Sequence, residues 1–302
     1  MYSLMQEEEN RELIVQKYYQ QIMNCRGMEQ VKNIVKKWEL LRKNIGSFPA
    51  DEPVLLPEYL WFSRSGTGKS EMLQLLAAYL DAGKIMPFNG MERVIEYTLE
   101  YCDENEPFNQ LEDLIKYLSV SSGYHNEFKG ILAINLDNWM HHLDNPHFVE
   151  FLEFLSEHNR SLLLILIAWP DREYMDKLRR MLSLYLRVHT VMIEMPGADE
   201  MFSFIASKLE RYHCRLSEEA GKLLLDALNA LRELEGFDGY KTLEFMVQEI
   251  VYEYYCGEKV SSHVIGSDVI LNFLEDGKFI ERHRKRYDRK EKLRAAGFRP
   301  GF

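Results

Sequence analysis

The sequence predicts an α/β fold, a parallel sheet sandwiched by helices, followed by a small all-helical domain. Two apolar runs carry the first half of that prediction. Residues 130–137 read GILAINLD and residues 161–169 read SLLLILIAW. Such near-continuous runs suit strands buried on both faces, as a parallel sheet requires. Helical patterns separate them, and strands alternating with helices imply crossover connections. The third observation is residues 59–76, YLWFSRSGTGKSEMLQLL, where a strand-like run leads through a glycine-containing loop into an amphipathic helix.

Strand, loop and Lys-Ser opening a helix form the context of a phosphate-binding loop. Gly66 and Gly68 permit backbone angles that turn several N–H groups toward one anion, and the first helical turn adds its positive dipole end. Ser65, Gly66, Thr67, Gly68, Lys69, Ser70 and Glu71 are the residues expected around a nucleotide. Lys69 would reach the terminal phosphates and the Ser70 hydroxyl would hold magnesium. The full pattern, G-x-x-x-x-G-K-[ST], begins with glycine, whereas this chain has Ser63 there.

Taken in order, residues 6–44 read as helices. One apolar stripe runs Leu13, Ile14, Tyr18, Ile22, Met23; a second runs Val31, Ile34, Val35, Trp38, Leu41; Gly27 separates them. Residues 47–57 hold three prolines and read as a connection. After the loop helix, with its buried face at Met72, Leu73, Leu75, Leu76, Tyr79 and Leu80, comes a strand-like segment from Arg93 to Thr98. An acidic loop (Asp103, Glu104, Glu106) precedes a helix from about Leu111 to Leu118. Helices near 148–155 and 174–186 flank the SLLLILIAW run, and Val191–Met195 is a further strand. From Pro196 onward the strands stop, and residues 199–212, 217–234 and 242–255 read as amphipathic helices. Ser217 followed by Glu219 gives the second a start signal. Residues 270–273 suit one more short helix. The expected domains are 1–48 (N-terminal helices), 49–196 (nucleotide-binding α/β), 197–260 (helical lid) and 261–302 (basic tail).

A chain of 302 residues with 46% hydrophobic content can bury a substantial core. No apolar stretch reaches the roughly twenty residues a membrane span needs. The acidic start lacks the character of a signal peptide. Four scattered cysteines (Cys25, Cys102, Cys214, Cys256) form no C-x-x-C pair and read as reduced thiols of a cytoplasmic protein. Net charge is −11, yet residues 278–299 hold ten Lys/Arg against three acids, a surplus of seven that leaves −18 on the remainder. An acidic body disfavours general polyanion binding. The basic tail suits nucleic acid, an acidic partner, a neighbouring subunit, or merely solvent.

Magnesium needs a second acid, expected at the end of a buried strand beside the loop strand. Asp137 ends the GILAINLD run and is the candidate, the alternative being a cap on the following turn. The next position, where an acid would polarise attacking water, is Asn138, which cannot act as a base. His141, His142 and His147 suggest no metal set, because adjacent residues point apart on a regular element. No nucleophile–base pattern is visible.

The order of these features resembles AAA+ ATPases, specifically the CbxX/CfqX group that includes Rubisco-activase and stage V sporulation protein K types. The resemblance covers about residues 24–255. Residues 27–32, GMEQVK, look like that group's G-L-x-x-V-K entry segment, and 59–70 resemble H-L-x-F-x-G-x-P-G-T-G-K-T. Residues 130–137 fall where G-V-L-F-I-D-E-A is expected, and 164–175 are similar to V-I-x-A-G-Y-x-x-x-M. Residues 184–196 resemble L-R-S-R-F-x-x-x-I-x-F-P, with Tyr185 and Arg187 at the two arginines. Asp238–Lys241 sits at the lid's G-N-A-R, with Lys241 in place of its arginine. The resemblance implies ATP and Mg2+ bound at subunit interfaces of an oligomeric ring, such as a hexamer, that remodels a protein client. It makes Arg187 the residue offered to a neighbour's γ-phosphate, or else a solvated helix-end arginine. Lys241 becomes a contact to nucleotide, or a surface lysine. The replaced glycine, glutamate and arginines imply a slow ATPase, with two alternatives: a non-hydrolysing nucleotide-binding scaffold, and a nucleic-acid-associated loader using the tail. The family's pore segment has no clear counterpart in residues 102–111.

Overall fold

The computed structural model describes residues 2–47, 56–89, 92–121, 128–158, 162–234, 237–257 and 263–275. The basic tail and most of the proline-rich connection lie outside these. The chain divides into two compact units, one of residues 1–64 with 69–194 and one of residues 65–68 with 195 onward.

The first unit begins with α1 (Tyr2–Asn24) and α2 (Glu29–Asn44) and continues with β1 (Tyr59–Ser63) and α3 (Lys69–Ala82). There follow β2 (Val94–Thr98), α4 (Gln110–Ser121), β3 (Ile131–Asn135), α5 (Pro146–His158), β4 (Leu163–Ala168), α6 (Arg172–Leu182) and β5 (His189–Ile193). All five strands are parallel, in the order β2-β3-β4-β1-β5. β4 therefore lies between β1 and β3. The strand preceding Asp137 is not beside the loop strand, as expected from sequence, but one strand further away.

Strand alternation sorts the core into two layers. Tyr59 and Trp61, Ile131 and Ala133, and Ile165 and Ile167 face α1, α2 and α3; Leu60 and Phe62, Leu132 and Ile134, and Leu164 and Leu166 face α4, α5 and α6. β1 and β4 are buried at every position, which is why they read as unbroken apolar runs. The stripe on α1 is rotated from the one read in sequence. Leu13 and Ile14 are exposed, and the buried positions are Val15 and Ile22, flanked by Tyr18, Tyr19 and Met23. This 15-18-22 spacing is equally helical, so periodicity alone could not choose between the faces.

A polar cluster centred on buried Glu39 joins the N-terminal helices to α3. Arg42 donates to both carboxylate oxygens of Glu39 (2.8 and 2.9 Å) and to both of Glu12 (2.8 and 2.9 Å), while the Tyr79 hydroxyl of α3 donates to Glu39 at 2.8 Å. Bonds to Arg42 chiefly hold the Glu39 carboxyl down to about 2, and Tyr79 adds to them against the cost of burial. On the outer side of β5, the backbone N–H of Met192 donates to the Gln30 side chain of α2 at 2.9 Å.

The second unit is built on α7 (Ala198–Arg211), α8 (Glu218–Arg232), α9 (Gly239–Cys256) and α10 (Ser267–Glu275). These helices bury Met201, Ile205, Leu224, Leu228, Met246 and Ile250 in a core of their own. Ser217 caps α8, its hydroxyl accepting from Ala220 N–H at 3.2 Å. The unit is not wholly helical. β6 (Arg215–Leu216) and β7 (Val264–Ile265) pair in parallel as a two-stranded ribbon. The pairing satisfies backbone donors next to helix ends, Arg215 N–H to His263 and Ser217 N–H to Ile265.

Candidate functional site

Parallel strands end on one edge of the sheet, and there α/β proteins bind ligands. β1 delivers the loop to that edge. Gly66 and Gly68 both adopt left-handed backbone, at φ 72° and 87°, which glycine reaches without steric cost. Lys69 and Ser70 then open α3. Lys69 Nζ donates to the Arg64 carbonyl at 2.6 Å and to Ser63 Oγ at 3.4 Å. Ser63, standing where the pattern has glycine, is thus accommodated as a buried acceptor for the loop lysine. Thr67 is buried; Ser65, Ser70 and Glu71 are exposed.

The loop tip groups with the helical unit. Gly66 O accepts from Tyr240 N–H at 2.7 Å, at the start of α9. Gly239, at φ 52°, packs so closely that a Cβ on it would lie 2.2 Å from Gly66 O, and a Cβ on Gly66 would lie 1.8 Å from Asp238 O. Lys241 follows in the first turn of α9 and is exposed.

The strand within the GILAINLD run stops two residues short of its carboxylate. β3 ends at Asn135, and Asp137 opens a 3-10 turn, Asp137–Trp139. Asn135 and Asp137 clasp one another: Asn135 Nδ2 donates to Asp137 Oδ2 at 3.2 Å, and Asp137 N–H donates to Asn135 Oδ1 at 2.7 Å. The Asn138 amide turns toward the end of β2, donating to Leu99 O (3.4 Å) and Glu100 Oε2 (3.2 Å).

Sequence reasoning missed Glu96. This β2 residue accepts a hydrogen bond from Ser70 Oγ at 2.8 Å. Its available signal was position: Glu96 pairs in register with Ala133, whose side chain lies on the α3 face. Arg187 is exposed and precedes β5, whose first residue pairs with Tyr59 at the start of β1. It therefore lies at the end of the sheet away from the loop. His142 stacks on Tyr101 (4.0 Å) and His147 on Phe108 (5.0 Å). Among the described residues no group of three or more His, Cys, Asp or Glu is placed to hold a metal.

No protein-family model matches the sequence, and no curated protein matches it. Among solved structures it is similar to a mutant of RuvB from Thermotoga maritima, at 12% identity and TM-score 0.52, over 84% of this chain and 71% of that one. A second Thermotoga RuvB mutant aligns at 12% identity and TM-score 0.52, over 83% and 70%. The likeness agrees with the strand order and the helical second unit, and the fold of the chain is that of these RuvB structures.

Proposed function

We propose that the protein binds ATP with Mg2+ through residues 65–71 and hydrolyses it slowly, as a remodelling or assembly factor in an oligomeric ring. The observation that carries this is the loop itself: two left-handed glycines and a lysine–serine helix start at the carboxyl end of β1. The residues fit the group. Gly66 and Gly68 keep the loop backbone free of Cβ atoms, Lys69 supplies a cation, and Ser70 with a nearby carboxylate offers the hard oxygen donors magnesium prefers. Bound Mg2+ would neutralise charge on the terminal phosphates.

In this reading Gly66, Gly68 and Lys69 bind phosphate and Ser70 holds the metal, with Asp137 the acid expected from sequence to assist it. Lys69 would exchange the Arg64 carbonyl for phosphate oxygens. Arg187, at the far end of the sheet from its own loop, suits a role toward a neighbouring copy. Lys241 is the assigned nucleotide contact on α9. The CbxX/CfqX-like segments support a protein client.

A second reading, a nucleotide-binding scaffold that does not hydrolyse, is favoured by Asn138. It carries no base, and its amide is already engaged at the end of β2. ATP affinity and turnover, measured for the wild type and Lys69→Ala, decide between them. Binding of ATP lost in Lys69→Ala, with slow turnover in the wild type, is the expected outcome. Binding without turnover supports the scaffold, and absence of binding in the wild type overturns both.

A further inference from the structure

We propose that Glu96, on β2, is the carboxylate that holds the magnesium ion beside Ser70. The inference rests on the nucleotide-binding reading of the loop and concerns which strand supplies its acid. At the carboxyl end of β3 the strand's last residue is Asn135, a neutral amide. The nearest acid in sequence, Asp137, lies two residues past the strand in the 3-10 turn, where its Oδ2 accepts from the Asn135 amide. Glu96 instead meets the hydroxyl that the loop offers to metal, with Ser70 Oγ to Glu96 Oε2 at 2.8 Å.

Three features of that contact suit a cation. The two oxygens belong to the donor types a hard ion takes, a hydroxyl and a carboxylate. Their separation is close to the roughly 2.9 Å between adjacent ligands of an octahedral ion with bonds of about 2.0–2.1 Å. The two side chains also come from rigid elements, the first turn of α3 and a strand paired in register with β3. Ser70 and Glu96 are both exposed, so an incoming ion need not open the core. Ser70 and Glu96 would hold the ion through a hydroxyl lone pair and a carboxylate oxygen, the Ser70 proton then pointing away from Glu96.

The experiment is ATP affinity by calorimetry, in EDTA and in millimolar Mg2+, for the wild type, Glu96→Gln and Asp137→Asn. The wild type is expected to bind more tightly with Mg2+. Glu96→Gln should lose at least about tenfold of that gain, since even outer-shell changes cost a metal site 10–100-fold, and Asp137→Asn should lose less. A full magnesium gain in Glu96→Gln, or a greater loss in Asp137→Asn, overturns the inference. A wild type that binds equally in EDTA and Mg2+ also overturns it while leaving the nucleotide site standing. A wild type that binds ATP in neither condition removes the nucleotide-binding reading itself. Should Glu96→Gln fail to fold by circular dichroism, Ser70→Ala and Glu96→Asp test the same pair. Both should cut the magnesium gain, and retention of it in both overturns the inference.

Discussion

Replacing Glu39 by glutamine probes the polar cluster that ties α1 and α2 to the loop helix. The glutamine keeps the shape of the side chain and removes the charge that Arg42 and Tyr79 address. A carboxyl held at about 2 against an ordinary 4.5 contributes about 3 kcal/mol to folding at pH 7. The folded value lies below the unfolded one, so the contribution is complete above about pH 4.5 and is lost as pH falls toward 2. At pH 3 about 1.5 kcal/mol should remain. A glutamine carbonyl still accepts one hydrogen bond, and Arg42 keeps Glu12, so the expected loss at pH 7 is about 2–3 kcal/mol. The assay is urea unfolding of wild type and variant at pH 7 and pH 3, followed by tryptophan fluorescence. All four tryptophans (Trp38, Trp61, Trp139, Trp169) lie in the first unit, so the signal reports that unit alone. A difference below about 0.5 kcal/mol at pH 7, or one undiminished at pH 3, would refute the reasoning.

Other outcomes follow from packing and backbone. Phe151→Ala empties a fully buried position between α5 and the sheet and should cost about 3–5 kcal/mol in the same fluorescence assay. Ser217→Ala removes the α8 cap and should cost about 1 kcal/mol, read by calorimetry as a lower transition of the helical unit with the tryptophan transition unchanged. Gly239→Ala combines left-handed backbone with a Cβ 2.2 Å from Gly66 O. It should cost at least about 1 kcal/mol, and because the loop tip must shift, ATP affinity measured beside stability should change as well.

Much of the architecture was legible because burial on both faces leaves a plain signature. GILAINLD and SLLLILIAW could hardly be anything but interior strands, and the loop needed only its own residues to be seen. Strand order was not legible, since nothing in either run says that β4 inserts between β1 and β3. The ribbon of β6 and β7 escaped because two-residue strands have no periodicity, their pairing being a matter of distant chain segments meeting. The rotation of α1 escaped because Leu13 and Ile14 are as apolar as Val15. At the site, the loop residues were read directly, whereas Glu96 was hidden by its setting. Its partner Ser70 lies 26 positions earlier, and only the register of β2 against β3 shows which face it shares.

The contact between Gln30 and Met192 has a consequence for the behaviour of the protein in concentrated solution. β5 ends the sheet, and an uncovered outer strand is a template onto which another chain can add. An amide side chain from α2 already occupies a donor on that outer side. The N-terminal helices thus do more than fill one layer of the core: Gln30 occupies a donor that an added strand would use. Gln30→Ala should leave the fold nearly as stable, yet favour intermolecular strand pairing and slow precipitation, visible by light scattering before any loss of helix signal.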